Sequence, residues 1–162
     1  LTPRGLRDRK IGLGPPAPVR SFLRQEGEPY HLIPARAGEY SAEWTVASLS
    51  PMQRTLIRAA PEGMRMRLVT RVVRQMVRNT YGGSRAIVRW RKRRGAVDIR
   101  GSVFCEVRDK GDRPLCEFYA SAIRRVMYLF NLDVDVGTEQ CRASGGGQCV
   151  VSVNIRPWNV AG

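Results

Sequence analysis

The sequence predicts a single mixed domain of helices and antiparallel strands, and three patterns indicate it. Segments 62–80 and 115–130 carry apolar residues at the three- and four-residue spacing of helices that bury one face. Two runs rich in β-branched residues flank a basic turn and predict a hairpin. Two later runs alternate apolar with polar residues, as half-buried strands do. A chain of 162 residues can bury a core around these elements without disulfides.

The first twenty residues are predicted to form an extended arm, and residues 21–162 the domain. The arm is rich in arginine, proline and glycine, a composition that cannot support a core. Its sequence lacks the hydrophobic stretch of a signal peptide, and no run of about 18 apolar residues occurs in the chain. We therefore expect a cytoplasmic protein.

Prolines divide the next part of the chain. Residues 30–33 predict a short strand that Pro34 ends, and residues 38–49 predict a helix. Pro51 is expected to open a second short helix, which ends before Pro61. Four apolar residues of the helix over 38–49 are expected to make core contacts: Tyr40, Trp44, Val46 and Leu49.

The helix predicted over 62–80 has two contrasting faces. An apolar stripe is expected to lie in the core, and an arginine side could bind phosphates or simply be solvated. The stripe consists of Leu68, Val69, Val72, Val73, Met76 and Val77. The arginines are Arg67, Arg71, Arg74 and Arg78.

A hairpin follows, with strands over 85–91 and 96–105 and a basic turn over 92–95. Its tip concentrates positive charge on Arg91, Lys92, Arg93 and Arg94. The whole net charge of +14 lies in residues 1–100, whereas residues 101–162 are neutral. Such asymmetry favours an acidic partner for the helix arginines and the hairpin tip. The alternative is an arginine-rich composition of solvated faces, since three of the 28 basic residues are lysines.

The last third predicts a helix followed by two paired strands. Asp112, Arg113 and Pro114 form a helix start signal, and the helix is expected to run from Leu115 to about Phe130. Strands are expected over 132–136 and 149–155, with a glycine turn over 144–147 between them.

Four cysteines fall within this third: Cys105, Cys116, Cys141 and Cys149. A reduced compartment makes a disulfide framework the less favoured interpretation. Gathered thiolates would favour zinc, with buried free cysteines as the alternative, because the spacing is not that of a zinc knuckle. An iron–sulfur cluster is also compatible with four cysteines but is ranked below zinc.

The cysteine region resembles the four-vinyl-reductase domain. This family is named for a protein of bacteriochlorophyll biosynthesis, in photosynthesis, that is linked to reduction of the C8-vinyl group of a chlorophyll precursor. The resemblance spans roughly 37–155 and is strongest in its last third. It rests on Gly101 through Cys105, Pro114-Leu115-Cys116-Glu117-Phe118-Tyr119, Glu139-Gln140-Cys141-Arg142-Ala143-Ser144-Gly145 and Gln148-Cys149-Val150.

The resemblance implies an α+β fold, with an antiparallel sheet, helices packed on one face and a relationship to vesicle-tethering subunits. It also implies an apolar ligand pocket beside a zinc site with three cysteine ligands, which by position are Cys116, Cys141 and Cys149. The glutamate of related sensors would fall at Thr138, and Glu139 is one place off, on the other face of a strand. Cys105 is therefore the favoured fourth ligand, in a closed structural site.

The function implied is binding of a hydrophobic small molecule, a tetrapyrrole of the chlorophyll pathway, as a carrier or accessory factor for vinyl reduction. The chain has no GxGxxG after a strand and no flavin signature, so whether it catalyses a reaction itself stays open. The predicted pocket walls are Trp90, Phe118, Tyr119, Ile123 and Met127, for which ordinary core packing is the alternative.

Two further functions stay open. The domain could be a zinc-bearing sensor or adaptor for a hydrophobic ligand, or a basic subunit that binds an acidic partner or nucleic acid. An acidic protein or a membrane surface is the expected partner in the latter case. Nucleic acid is disfavoured as the partner because no known binding motif is present. A homodimer and a position peripheral to the membrane are further expectations.

Overall fold

The computed structural model describes residues 28–81, 83–102, 104–105 and 114–156, so the predicted arm over 1–20 lies outside the described residues. The described chain forms an antiparallel sheet of order β1-β2-β4-β3 with helices against one face. This confirms the predicted α+β fold. The helices are α1 (Glu28–Ala47), α2 (Pro51–Ala59), α3 (Glu62–Thr80) and α4 (Glu117–Leu129). The strands are β1 (Arg85–Arg91), β2 (Arg94–Arg100), β3 (Val134–Gln140) and β4 (Val150–Ile155).

The sheet has a helix-covered face and an open face. Strand residues alternate between the two, so in β2 Val97 and Ile99 are buried whereas Arg94 and Arg100 are exposed. On the covered side, α3 packs on β1, α4 packs on β3, and α1 packs on α4. The core lies between these helices and the sheet, and the largest fully buried side chains include Tyr119 and Phe130.

The strand predicted over 30–33 is wrong, because α1 runs through this segment as a helix with Pro34 inside it. The apolar run over 30–33 is too short to outweigh packing, since this helix presents Gly38, Ala42 and Val46 to the interior. Two residues expected in the core, Tyr40 and Trp44, point outward, and Trp44 is 71% exposed.

The helix predicted over 62–80 has the observed bounds of α3, and its apolar stripe is largely buried. Pro51 opens α2, where Ser50 and Gln53 form a reciprocal capping box that satisfies otherwise unpaired N–H groups. These helices agree with their sequence signals because spacing and caps are local properties.

The hairpin is confirmed, but its turn is shorter and its second strand ends earlier than predicted. Arg91 pairs with Arg94, which leaves Lys92 and Arg93 as a two-residue turn, with Lys92 at a φ of 54°. β2 ends at Arg100 because Gly101 takes a φ of 66°, which leaves the extended conformation. Cys105 therefore lies in a loop and does not end a strand.

The C-terminal elements are present with shifted bounds. α4 begins at Glu117, and its N-cap is Cys116, whereas Asp112 and Arg113 lie outside the described residues. Its end is followed by Asn131 in the left-handed conformation, with a φ of 56°. The next strand consequently starts at Val134, two residues later than predicted.

Candidate metal centre

The four cysteine sulfurs meet in the interior. The Sγ atoms of Cys105, Cys116, Cys141 and Cys149 all lie within 4.8 Å of one another, and all four residues are buried. The shortest separation, 3.1 Å, joins Cys105 to Cys116, and Cys141 lies 3.5 Å from each of them. The loop after β2, the start of α4 and the two ends of the β3–β4 connection thus converge on one point at the end of the sheet.

Cys116 and Cys141 are held by the backbone around them. Cys116 is the N-cap of α4, and its carbonyl oxygen accepts hydrogen bonds from the N–H groups of Tyr119 and Ala120 at 2.9 and 3.0 Å. The N–H of Leu115 points to the Sγ of Cys141 at 3.4 Å. The positive end of the helix dipole and this N–H both favour thiolates.

The glycine turn folds around Cys141. Its carbonyl oxygen accepts hydrogen bonds from the N–H groups of Ser144 and Gly146, at 3.2 and 2.8 Å. A Cβ at position 146 would lie 2.9 Å from that oxygen, so the close approach favours glycine. Gly145, with a φ of 91°, completes the turn. The turn returns the chain to Cys149, whose carbonyl oxygen binds the N–H of Ile99 in β2.

The thiols shift one another's pKa in opposite directions. Hydrogen bonds from Cys105 and Cys116 hold the pKa of Cys141 below its ordinary value and lower the pKa of Cys149 to about 6. Hydrogen bonding to Cys105 raises the pKa of Cys116. Without a metal, the cluster therefore shares its protons between thiolate acceptors and thiol donors.

The donor set fits a single tetrahedral metal ion. Sulfurs about 2.3 Å from one zinc ion would be separated from each other by about 3.8 Å. The sulfurs of Cys105, Cys116 and Cys141 lie 3.1 to 3.5 Å apart, so they would have to move apart slightly to hold the ion. All four donors are thiols, which is the ligand set of a closed structural site. Glu139 is exposed on β3 and is not part of the cluster, whereas Cys105 is.

Most of the predicted pocket residues fill the core. Phe118, Tyr119, Ile123 and Met127 are buried on the inner side of α4, and Trp90 is half-buried under α3. Phe104 stacks on Phe118, with ring centroids 4.6 Å apart, and meets Tyr119 edge-on at 5.6 Å.

Beside this aromatic cluster, two buried hydroxyls lack hydrogen-bond partners among the described residues: Tyr119 Oη and Ser102 Oγ. Unpaired buried hydroxyls are costly and usually mark a place where water or another polar group binds. Burial also raises the pKa of Tyr119 to about 12.

A ligand-sized space lies at the opposite end of the sheet and was not predicted. This groove, of about 1190 Å³, has a mixed lining that includes the apolar Leu129, Leu132 and Ile155. Its charged lining residues are Arg58, Arg65, Arg156, Glu62 and Asp133. The six residues of β4 separate it from Cys149 by about 20 Å. No local sequence pattern indicated this groove, because its lining residues come from four separate elements, α2, α3, α4 and β4.

The predicted basic residues lie on neighbouring surfaces. Arg67, Arg71, Arg74 and Arg78 are exposed on α3, and the hairpin tip joins that helix through Arg93, whose Nη2 lies 2.8 Å from Glu62 Oε1. Three further arginines on the open face of the hairpin were missed: Arg85, Arg89 and Arg100. The strand period of Arg85, Arg89 and Arg91 was the signal that could have identified that face.

Among the helices of the described chain, none combines the length and the apolar composition needed to cross a bilayer. Comparison with protein-family models and with curated proteins gives no match.

The fold does have a solved counterpart. The chain is similar to a trafficking protein particle complex subunit 3 from Naegleria fowleri, crystallised covalently bound to palmitic acid, with a TM-score of 0.58 and 12% sequence identity. The match covers 87% of this chain and 82% of that one. This likeness concerns the fold alone, and it agrees with the predicted similarity to the fold of vesicle-tethering subunits.

Proposed function

We propose that this protein is a binding domain for a hydrophobic small molecule and that a structural zinc ion closes one end of its fold. The observation that carries the proposal is the convergence of four buried thiols within 4.8 Å. Four sulfur ligands leave no open position, so zinc would stabilise the loops and not activate water. Zinc is favoured over an iron–sulfur cluster, because several irons and sulfides need a wider cage than these sulfurs form.

The groove is the proposed ligand site, since the predicted pocket residues are packed in the core. Its lining offers Leu129, Leu132 and Ile155 to an apolar ring system or chain. Arg156 and Arg58 lie in its lining and could bind a carboxylate. The Nε of Arg58 donates a hydrogen bond to the carbonyl oxygen of Leu129 at 3.2 Å. This bond does not use the two terminal nitrogens of the guanidinium, which could bind a carboxylate.

A tetrapyrrole of the chlorophyll pathway is the proposed ligand class. It combines a large apolar ring with carboxylate side chains, which suits a groove whose lining offers both aliphatic side chains and arginines. The sequence resemblance to the four-vinyl-reductase domain, centred on Cys116, Cys141 and Cys149, supports the same class. Because the sequence lacks a nucleotide or flavin motif, the role proposed is that of a carrier or accessory factor that presents the substrate.

A lipid is the second candidate ligand, and one observation favours it: the structurally similar trafficking subunit holds palmitic acid. The same groove would accept a fatty acid through its aliphatic side chains and arginines. In that case the domain would be a lipid-responsive adaptor within a protein complex, peripheral to a membrane.

The test is metal analysis and an absorption spectrum of the isolated protein, followed by titration with protoporphyrin IX and, separately, with palmitic acid. We expect about one zinc per chain and a red-shifted porphyrin Soret band. Arg58→Glu/Arg156→Glu should weaken porphyrin binding, while the charge-matched Arg36→Glu/Arg54→Glu should not. Zinc-free, stable protein would refute the metal site. If the protein binds palmitic acid but not the porphyrin, the ligand is a lipid and not a tetrapyrrole.

A further inference from the structure

Among the described residues, β1 forms one edge of the sheet, and along this edge its backbone groups have no neighbouring strand to pair with. β1 has a neighbour on one side, β2, and the two-residue turn makes Arg91 and Arg94 a hydrogen-bonded pair. Hydrogen-bonded and non-hydrogen-bonded pairs alternate along the hairpin from there. The N–H and C=O groups of Ala86, Val88 and Trp90 therefore point away from β2, toward the open edge of the sheet. Such a row can form a ladder with an added strand.

Both edges of the sheet are covered by an arginine from a helix, but unequally. At the β3 edge, Arg124 Nη2 donates to the carbonyl oxygen of Val136 at 2.7 Å. At the β1 edge, Arg74 Nη2 reaches the carbonyl oxygen of Val88 at 3.4 Å, which is a long and weak hydrogen bond. The β1 edge is therefore the one that an incoming strand can use at lower cost.

Arginines border this edge on the open face of the sheet. Trp90 turns its indole toward α3, so Arg89 and Arg91, which precede and follow it, point to the opposite face. Arg85 lies on that same face, and all three are exposed. Among the described residues none of the three has an acidic partner, whereas Arg100 is paired with Asp98 at 3.1 Å.

Arginines of α3 border the same edge on the helix face. Contacts from Glu62 to Arg93, Thr70 to Trp90 and Arg74 to Val88 show that α3 runs antiparallel alongside β1. The two segments that these contacts join have similar lengths. The twelve-residue step from Glu62 to Arg74 covers about 18 Å of helix, and the five-residue step from Val88 to Arg93 covers about 16 Å of extended chain. Arg67 lies seven residues before Arg74, two turns away, and so on the same flank of the helix.

We propose that the β1 edge is a docking site for an extended acidic segment of a partner protein, which adds to the sheet as a fifth strand. Its backbone would pair with Ala86, Val88 and Trp90, and Arg74 would exchange the Val88 oxygen for a carboxylate. Side chains of an added strand alternate between the open face and the helix face of the sheet. Arg89 and Arg91 border the open face, and Arg74 borders the helix face. An acidic strand is thus complemented at successive positions.

The same features oppose other occupants. A second copy of β1 would bring like charges together, which destabilises strand pairing. Nucleic acid has no groups that continue a β-ladder, and the described open face of β1 and β2 carries no aromatic ring on which bases could stack. The unpaired ladder groups therefore favour a polypeptide.

The probe is a fluorescein-labelled ten-residue peptide in which pairs of glutamates alternate with pairs of threonines, so that carboxylates fall on both faces of the added strand. It is titrated into the whole protein and followed by anisotropy. Hydrogen exchange measured with and without it should show slower exchange at Ala86, Val88 and Trp90. Arg89→Glu/Arg91→Glu should weaken binding by about tenfold or more. The matched double reversal Arg36→Glu/Arg54→Glu should change it by less than about twofold, with circular dichroism confirming that both variants fold.

A second peptide, with four consecutive central amides N-methylated, keeps the charge but cannot form the ladder, and it should bind weakly. Equal binding of the two peptides, or binding without protection of the three amides, would overturn the proposal in favour of a general electrostatic surface. Displacement of the peptide by duplex DNA or phosphatidylserine vesicles at lower concentration would also overturn it. So would self-association that protects these amides without peptide.

Discussion

The indole Nε1 of Trp90 donates a hydrogen bond to the hydroxyl of Thr70 at 3.0 Å, and that hydroxyl donates onward to the carbonyl oxygen of Met66 at 2.7 Å. Trp90 thereby fastens the edge strand β1 to α3. Its ring covers the position opposite it in β2, because a Cβ at Gly95 would lie 2.6 Å from the ring. These contacts give the indole a structural role between the sheet and the helix.

Replacing the indole tests that role. Trp90→Phe keeps an aromatic ring but removes the donor, and we expect the free energy of unfolding to fall by about 1–2 kcal/mol in urea titration. Thr70→Val should cost a similar amount, and the double variant should cost less than the sum, because one hydrogen bond is lost in both. Thr70→Ser retains the hydroxyl and serves as the control. Strict additivity would show that the hydrogen bond contributes nothing.

The fourth metal ligand can be identified by two substitutions. Cys105→Ser removes a sulfur from the cluster, and we expect the bound zinc to be lost on dialysis against a chelator that leaves it in the parent protein. Glu139→Gln removes the carboxylate next to Thr138, the position at which the sequence resemblance would place a glutamate ligand, and it should keep the zinc because Glu139 is exposed on β3. The readout is zinc per chain by atomic absorption. The reverse result would make the glutamate the ligand.

Alkaline pH should destabilise the protein through Tyr119. Burial raises its pKa to about 12 from an ordinary value of 10, so the folded protein holds the phenol proton that the unfolded chain loses. Stability is then unaffected below about pH 10 and falls as pH rises toward 12, by about 1.4 kcal/mol for each unit of pKa difference. Tyr119→Phe cannot ionise, so its unfolding free energy should depend less on pH between 10 and 12. Equal pH slopes would contradict this account.

Local signals predicted most of the fold. The bounds of α3 follow from its apolar stripe, and those of α2 from Pro51 and Pro61, since such signals act within a few residues. The strand predicted over 30–33 was wrong because tertiary packing determines the conformation of this segment. The helix α1 continues through Pro34, and its Gly38 allows close contact with the backbone of α4. The early end of β2 depends on the backbone angle of Gly101, which composition does not reveal.

The candidate site was likewise predicted only in part from the sequence. The cysteines were recognisable by type, but their meeting within 4.8 Å depends on how β2, β4 and the start of α4 are arranged in space. Arg85 and Arg89 were missed because the hairpin was interpreted by its tip and not by the strand period. The groove is made from four distant segments, and so no short pattern describes it.

Two glycine-to-alanine substitutions should have opposite effects on stability. At Gly38, in α1, an added Cβ would overlap the carbonyl oxygen of Phe118 and would lie 3.2 Å from the amide nitrogen of Ala122, both in the backbone of α4. Because neither atom is the end of a flexible side chain, α1 and α4 would have to separate. We expect Gly38→Ala to lower the free energy of unfolding by about 2 kcal/mol, despite the better helix propensity of alanine.

Gly63 provides the matched control, because it lies in the first turn of α3 and an added Cβ there would meet nothing within 4 Å. With no steric cost, the gain in helix propensity and the loss of unfolded-state entropy should raise stability by about 0.5–1 kcal/mol. Urea midpoints of the two variants should therefore move in opposite directions from that of the parent protein. A stabilising Gly38→Ala would mean that α1 and α4 do not approach as closely as their backbones indicate.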